Sequence, residues 1–392
     1  MIKDRVLIIN NTRIYMENKI IEDGSIVIVN DKIQAIHHDK VTPADIPQHA
    51  TVIDGTGKSL IPGFIDGHIH GANGADVMDA TEAALDAISE VLPKEGTTSY
   101  LATTITQSKD SIESTLKNVA NYPSKSGYAE VIGVHLEGPF IEKSKAGAQP
   151  LEHILKPDID LYRQWQKAAN NMIKTITMAP EHDPEGTFIK FLHQSGVNVS
   201  AGHTKSGFTD MNEAVKHGVR QVTHICNAMS GIHHRDIGVV GAALQNAELR
   251  AELIADGIHV SPEMMQLIYD NMGSERLILI TDAMRAKCLN AGNYELGGQP
   301  VIVSTDRAVL EDGTLAGSIL KMNDGVKNML QLSQVAIGDI IEMASVNPAK
   351  QIGIFHKKGS IEAGKDADLL LVDETLTIHH TICRGTIAYK EV

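Results

Sequence analysis

Cysteine is nearly absent. Three residues in 392, Cys226, Cys288 and Cys383, are too few and too scattered for a disulfide framework and fit a reducing compartment. Positive charge is the minority sign, with 35 lysines and arginines against 49 acidic residues and a formal net charge of -14. No basic cluster stands out, which argues against a nucleic-acid surface. No window approaches the roughly 18 unbroken apolar residues of a membrane helix. The opening MIKDRVLIIN lacks the longer apolar region and cleavage site of a secretory signal. These absences read as a soluble, cytoplasmic chain with no membrane or nucleic-acid partner. The phosphate-cradling fingerprints GxGxxG and GxxxxGKS/T are missing too. What is present is globular: 42% hydrophobic and 21% charged residues, with 33 glycines against 4% aromatics, point to tight turns around an aliphatic core.

Residues 1 to about 60 carry short β-rich runs broken by Asn-Asn, Asp-Gly and Asn-Asp, the pattern of an antiparallel meander. The same texture returns from Gly359 to Val392, after a helical stretch around Asp339 to Gln351. Between them lie eight apolar runs, each followed by a longer helix-like segment: GFIDGHIH, TSYLATTI, VIGVHLEG, TITMAPE, VNVSAGHT, QVTHICNA, AELIADGIH and LILITDA. Eight βα units suit a closed parallel barrel better than a doubly wound sheet. The expected fold is therefore α/β: a (β/α)8 TIM-like barrel over residues 61–352, with a small β-sandwich domain assembled from residues 1–60 and 353–392.

In GFIDGHIHG side chains alternate across an extended chain, so His68 and His70 project to one side with their rings a few ångströms apart. The other runs end in a similar way. The third ends in His135 and Glu137, the fifth in His203, the sixth in His224, the seventh in Asp256 and His259, and the eighth in Asp282. Strand ends of such a barrel open into one shared cavity, where unpaired buried polar groups would be costly. Mixed nitrogen and oxygen ligands without thiolates indicate an open, catalytic metal site for zinc, iron, manganese or cobalt. Six residues, His68, His70, Glu137, His203, His224 and Asp282, are enough for two divalent ions bridged by Glu137. The glycines at 67 and 71 are expected to let the backbone approach that site. The doublets His37-His38, His233-His234 and His379-His380 lack a converging carboxylate and read mostly as solvated, while Cys226 and Met178 read as packing.

At GFIDGHIHG, HLEGPF, SAGHT, THICNAM, IADGIHV and ITDAM, and again at GTLAGS, SVNPAK and GSIEAGKDADLLLVD, the chain resembles the amidohydrolase superfamily, in its branch of N-acetylated sugar-phosphate deacetylases. The likeness runs over nearly the whole length. It implies hydrolysis of N-acetyl-D-glucosamine 6-phosphate to D-glucosamine 6-phosphate and acetate, with N-acetylgalactosamine 6-phosphate as the nearest alternative. It also implies that Glu137, His203 and His224 hold the principal metal, that His68 and His70 complete a second site with Glu137, and that Asp282 is the acid and base. Ala148, Gln149, Asn227, Ala228, His259, Leu315, Ala316 and Gly317 would contact the substrate. Arg235 would reach the neighbouring subunit's site, implying a homodimer. For Asn227 and Ala228 the phosphate grip is expected from main-chain N–H groups near a helix start. Gln149 stands where many members have a histidine; its amide donates a hydrogen bond but carries no charge. A carboxylated lysine at the end of the fourth run, used by other branches, has no counterpart here. The rival from another class is a catalytically silent scaffold, which would be expected to lack ligands or the acid-base carboxylate.

Overall fold

The computed structural model describes residues 4–42 and 46–391; the first three residues of MIKDRVLIIN, residues 43–45 and residue 392 lie outside it. β1 (Val6–Tyr15) and β2 (Ile20–Val29), rich in isoleucine and valine, pair antiparallel with Val6 opposite Val29, and β3 (Lys32–His37) folds back onto β2. The meander stops there. β4 (Thr51–Asp54) and β5 (Ser59–Pro62) instead run parallel to β1, with Thr51 of β4 opposite Leu7 near the start of β1.

Gly63 alone separates β5 from β6 (Phe64–Ile69), and the Ser345 hydroxyl donates to the Gly63 carbonyl at 3.0 Å. A short hairpin, β7 (Gly71–Ala72) and β8 (Ala75–Asp76), follows. β9 (Thr97–Thr104), β10 (Glu130–Glu137), β11 (Ile173–Met178), β12 (Asn198–Ala201), β13 (Val219–Val222), β14 (Arg250–Ile254) and β15 (Leu277–Ile280) continue from β6 as one parallel eight-stranded sheet in chain order. These match the eight apolar runs. The sheet closes between its first and last strands: the His70 N–H donates to the Ala283 carbonyl at 2.9 Å and the Asp282 N–H to the His68 carbonyl at 2.8 Å. The expected (β/α)8 barrel is the fold observed.

Around it pack α1 (Glu82–Val91), α2 (Lys109–Asn121), α3 (Ile159–Ala168), α4 (Thr187–Gln194), α5 (Phe208–His217), α6 (Gly238–Gln245) and α7 (Pro262–Met272). α2 shows why such segments are helical: Ser108 caps its first turn by accepting from the Ser111 N–H, and Ile112, Thr115, Leu116 and Val119 form the buried stripe. Beyond β15 a small sheet, β16 (Gly292–Leu296), β17 (Gln299–Val303) and β18 (Ala308–Val309), shares a core with Ile105, Ala148, Met284 and Ala316 beside the barrel mouth. α8 (Met322–Leu330), α9 (Ile337–Ile341) and α10 (Asn347–Gln351) lead to β19 (Leu369–Val372), β20 (Ile378–Cys383) and β21 (Thr386–Lys390). β19 pairs antiparallel with β5, so both ends of the chain share one eight-stranded sheet whose core holds Leu7, Ile9, Ile14, Leu60, Leu369 and Ile382. Among the described residues no helix is long and apolar enough to cross a membrane.

Candidate metal centre

The polar ends of the barrel strands meet at one mouth. His203 Nε2 and His224 Nε2 lie 3.1 and 3.2 Å from Glu137 Oε1 and 3.1 Å from each other. His68 Nε2 lies 3.5 Å from Glu137 Oε1 and 3.4 Å from Asp282 Oδ1, and His70 Nε2 lies 3.3 Å from both Glu137 Oε2 and Asp282 Oδ1. Alternation on β6 delivers that pair as expected, with ring centroids 5.3 Å apart. Glu137 thus stands between two histidine sets, and all six side chains are buried. Three of the positions, His203, His224 and Asp282, hold positive φ angles of 48°, 31° and 48° where β12, β13 and β15 give way to loops. Such a backbone conformation in non-glycine residues is costly and concentrates at functional sites.

Hydrogen bonds fix what two of these rings, His203 and His68, present to the centre. His203 Nδ1 faces the Lys145 carbonyl at 2.9 Å, an acceptor, so Nδ1 carries the proton and Nε2 turns its lone pair towards the Glu137 carboxylate. His68 Nδ1 likewise faces Glu252 Oε2 at 3.1 Å, leaving Nε2 buried without a hydrogen-bond partner. Lone pairs pointing at lone pairs are repulsive unless positive charge sits between them. Where protons rather than metal answer the carboxylates, burial still favours a neutral Glu137, but charge on His68 and hydrogen bonds from His203 and His224 hold its carboxyl well below the ordinary range. Asp282 is held at about 2 against the same burial by His68 and His70. Burial resists a charged His70, but hydrogen bonds to Asp282 and Glu137 push it up to about 10. Two buried carboxylates therefore demand positive charge here, from protons or from a metal ion. The donor set fits divalent metal: Glu137, His203 and His224 form one group that could hold an ion, and His68, His70 and Asp282 another.

A third cluster, His68, His135 and Glu252, does not fit an ion as well. His135 is kept neutral by burial and spends both nitrogens on the Gly67 carbonyl at 3.1 Å and the Thr177 hydroxyl at 2.7 Å. A fourth, Glu130, Asp366 and Asp368, already surrounds the buried ammonium of Lys358.

A cavity of about 280 Å³ opens beside the cluster, lined by His70, Glu137, His203, His224, Asp282, Ala148, Gln149, Asn227, Ala228, His259, Leu315 and Gly317 among others. His259 is steered by Asp256, whose Oδ2 lies 2.6 Å from Nδ1. Gln149 is committed to the centre itself: Nε2 donates to Glu137 Oε2 at 2.6 Å while Oε1 accepts from the Thr106 N–H at 2.7 Å. Gly317, with φ of 60°, passes so close to the Asp282 carbonyl that a Cβ would sit 2.9 Å from it.

Several expectations need correction. Ala316 is buried in the core behind the loop and is not among the residues lining the cavity. Arg235, expected to serve a neighbouring subunit's site, needs no such correction: it lies exposed on the loop before α6, bonded to His234 at 2.7 Å and outside its own chain's cavity. No helix begins at Asn227 and Ala228, since α6 starts only at Gly238. A Cβ on Gly67 would meet nothing within 4 Å, and one on Gly71 would strike the Ala75 carbonyl at 2.2 Å, so Gly71 serves the β7–β8 hairpin rather than the metal site. His379 does meet carboxylates, with Nδ1 2.5 Å from Glu391. Sequence reasoning also passed over Glu252 and Asp66. Asp66 shares the inward face of β6 with His68 and accepts from the Thr281 hydroxyl at 2.6 Å. Glu252 sits inside the apolar run AELIA, where a lone carboxylate was itself the signal.

Residues 59–388 match the amidohydrolase family. The chain is 44% identical to N-acetylglucosamine-6-phosphate deacetylase of Bacillus subtilis (strain 168) over 98% of its own length and 97% of that protein. It is 34% identical to N-acetylgalactosamine-6-phosphate deacetylase of Escherichia coli O157:H7, covering 89% of this chain and 93% of the other. The crystal structure of N-acetylglucosamine-6-phosphate deacetylase from Pasteurella multocida superposes with a TM-score of 0.90 at 30% identity, covering 98% and 100% of the two chains.

Proposed function

The chain belongs to the amidohydrolase family, and from that premise we propose that it hydrolyses the N-acetyl group of N-acetyl-D-glucosamine 6-phosphate. The products are acetate and D-glucosamine 6-phosphate. The observation that carries this reading is that Glu137, His203, His224, His70 and Asp282 line one cavity, with His68 packed against them, in a chain that matches a deacetylase of that substrate across 98% of its length. A scaffold without catalysis would have no need of all six.

Glu137, His203 and His224 would hold one divalent ion, and His68 and His70 a second that shares Glu137, the metal being zinc, iron, manganese or cobalt. Such ions supply Lewis acidity, acidifying water and polarising a carbonyl oxygen. Asp282, ionised at neutral pH, takes a proton from water as its oxygen adds to the acetyl carbon. It returns that proton to the sugar nitrogen as the C–N bond breaks, so the amine leaves neutral and the acetyl group leaves as acetic acid, which gives its remaining proton to solvent and becomes acetate. Gln149 holds the Glu137 carboxylate in place, and His259, braced by Asp256, is set to contact the sugar. Asn227 and Ala228 offer polar groups to the phosphate, and Arg235, exposed on its own chain, would complete the phosphate pocket of a second copy in a homodimer. The free cysteines agree with a cytoplasmic enzyme.

The 34% identity to a galactosamine-isomer deacetylase supports a second reading in which the C4 epimer is the substrate. Acetate release from both sugar phosphates by metal-loaded protein separates the two. The glucosamine derivative is expected to turn over faster, and Asp282→Asn to lower kcat by about 10²–10⁴-fold. Turnover of neither sugar phosphate would overturn the proposal.

A further inference from the structure

Below the metal centre the barrel interior contains a line of polar side chains that the reaction as described does not use. Glu252 accepts through Oε2 from His68 Nδ1 at 3.1 Å and from the His224 N–H at 3.3 Å. Its other oxygen accepts from Gln221 Nε2 at 2.6 Å. Gln221 Oε1 accepts from Asn198 Nδ2 at 2.9 Å, Asn198 Oδ1 from Gln351 Nε2 at 2.6 Å, and Gln351 Oε1 from Arg250 Nη1 at 2.6 Å. Gln351 closes α10, so the line runs from the barrel mouth to its floor.

The polarity of this line is determined by its ends. A guanidinium only donates, and a carboxylate only accepts. The three amides between them can bond at both ends in one orientation alone, with every oxygen towards Arg250 and every nitrogen towards Glu252. Reversing any one amide sets donor against donor on one side and acceptor against acceptor on the other. A buried amide so mismatched loses its hydrogen bonds at a cost of about 1–3 kcal/mol each.

We propose that Glu252, with Gln221, Asn198 and Gln351 behind it, is a positioning device for the second metal: the chain anchored on Arg250 keeps an acceptor in front of His68 Nδ1, which holds His68 in the tautomer whose Nε2 lone pair faces the ion. This rests on the reading of His68 as a metal ligand. It makes an unusual demand on mutants. In Glu252→Gln the Gln221 N–H, at 2.6 Å, wins the new amide's oxygen over the His224 N–H, at 3.3 Å, which turns the NH2 group to His68 Nδ1 and drives the ring proton onto Nε2. Removing the Gln221 donor frees that amide to flip and offer His68 its oxygen again. A second substitution in the core should therefore repair the first.

The test titrates Co2+ into metal-free protein. Wild type is expected to take two ions, the weaker of them lost in His68→Asn. Glu252→Gln weakens that ion by about 10–100-fold, the usual effect of losing the carboxylate behind a metal-bound imidazole. Glu252→Gln with Gln221→Met binds it more tightly than Glu252→Gln alone. A double variant no better than the single, or Glu252→Gln that binds like wild type, overturns the relay while leaving the metal reading intact. Wild type without a His68-dependent ion overturns the metal reading, and the relay with it. A readout that leaves the carboxylate untouched is the exchangeable proton resonance of the Co2+-loaded protein that disappears in His68→Asn. Gln351→Met, at the far end of the line, is expected to shift it, and an unshifted resonance overturns the proposal.

Discussion

The side chains that define this molecule at the residue scale are buried charges, and each is tolerable because named partners answer it. Lys287 is fully buried, its ammonium paired with Glu95, whose carboxyl is pushed above its usual range by burial, with Asp66 adding to it, against the pull of that ammonium. Neither residue was singled out from the sequence, because 192 positions separate them and no local pattern announces a pair. Removing the cation leaves that carboxyl in the protein interior without its charged partner. Lys287→Met is therefore expected to destabilise the fold by about 3–5 kcal/mol, read from urea midpoints, whereas Lys287→Met with Glu95→Leu recovers much of the loss. A single variant as stable as wild type contradicts the assignment. The same logic explains which site residues were legible. His68, His70, Glu137, His203, His224 and Asp282 stand at the ends of apolar runs, where a polar residue has no packing reason to be. Glu252 lies within such a run, where a lone carboxylate signals a partner without naming it, and only the closed barrel shows that it faces His68.

At the scale of elements, the loops after the strands do the positioning. The segment after β10 is held by Glu142, which accepts from the Ser144 N–H at 3.0 Å and the Ser144 hydroxyl at 2.8 Å and pairs with Lys205 at 3.2 Å. This segment then carries the Lys145 carbonyl to His203 and Gln149 to Glu137. Those bonds from Ser144 hold the Glu142 carboxyl at about 2. A pKa depressed by folding contributes stability above the unfolded value, near 4.5, and that contribution fades as pH falls through the folded one. The melting temperature of Glu142→Gln should accordingly lie below that of wild type at neutral pH, with the gap closing between about pH 4.5 and 2. A gap that persists unchanged into acid contradicts the role given to the charge. Strand positions were legible because eight apolar runs recur with polar ends. Loop paths were not: the segment at Asn227, proposed to grip the phosphate, was expected at a helix start, yet the chain travels ten more residues before α6 begins. Gly71 was assigned to the metal site because sequence shows a glycine but not the carbonyl of Ala75 that excludes a Cβ.

The whole molecule joins two architectures, a barrel that holds the chemistry and a sheet that ties the two chain ends together through β5 and β19. That both ends share one texture was visible in the sequence. The parallel return of β4 and β5 onto β1 was not, since pairing direction depends on where a loop goes rather than on strand composition. Arg235 belongs to this scale as well, because its side chain is exposed and outside the cavity of its own subunit. In a homodimer that shares it, Arg235→Ala should raise KM for the sugar phosphate by at least about tenfold, the loss of a charge-assisted phosphate contact, with a smaller change in kcat. Mixing it with Asp282→Asn should restore activity in hybrid dimers, which carry one site with both native residues. No recovery on mixing, or a monomer by sedimentation, contradicts the shared site.

The central claim is that six side chains distant in sequence hold divalent metal beside the scissile amide. Anomalous diffraction from crystals grown with Zn2+ tests it most directly. The account predicts one peak about 2.0–2.2 Å from Glu137, His203 and His224 and a second within reach of His68, His70 and the same Glu137 carboxylate. Density that leaves Glu137 without a metal neighbour would contradict it.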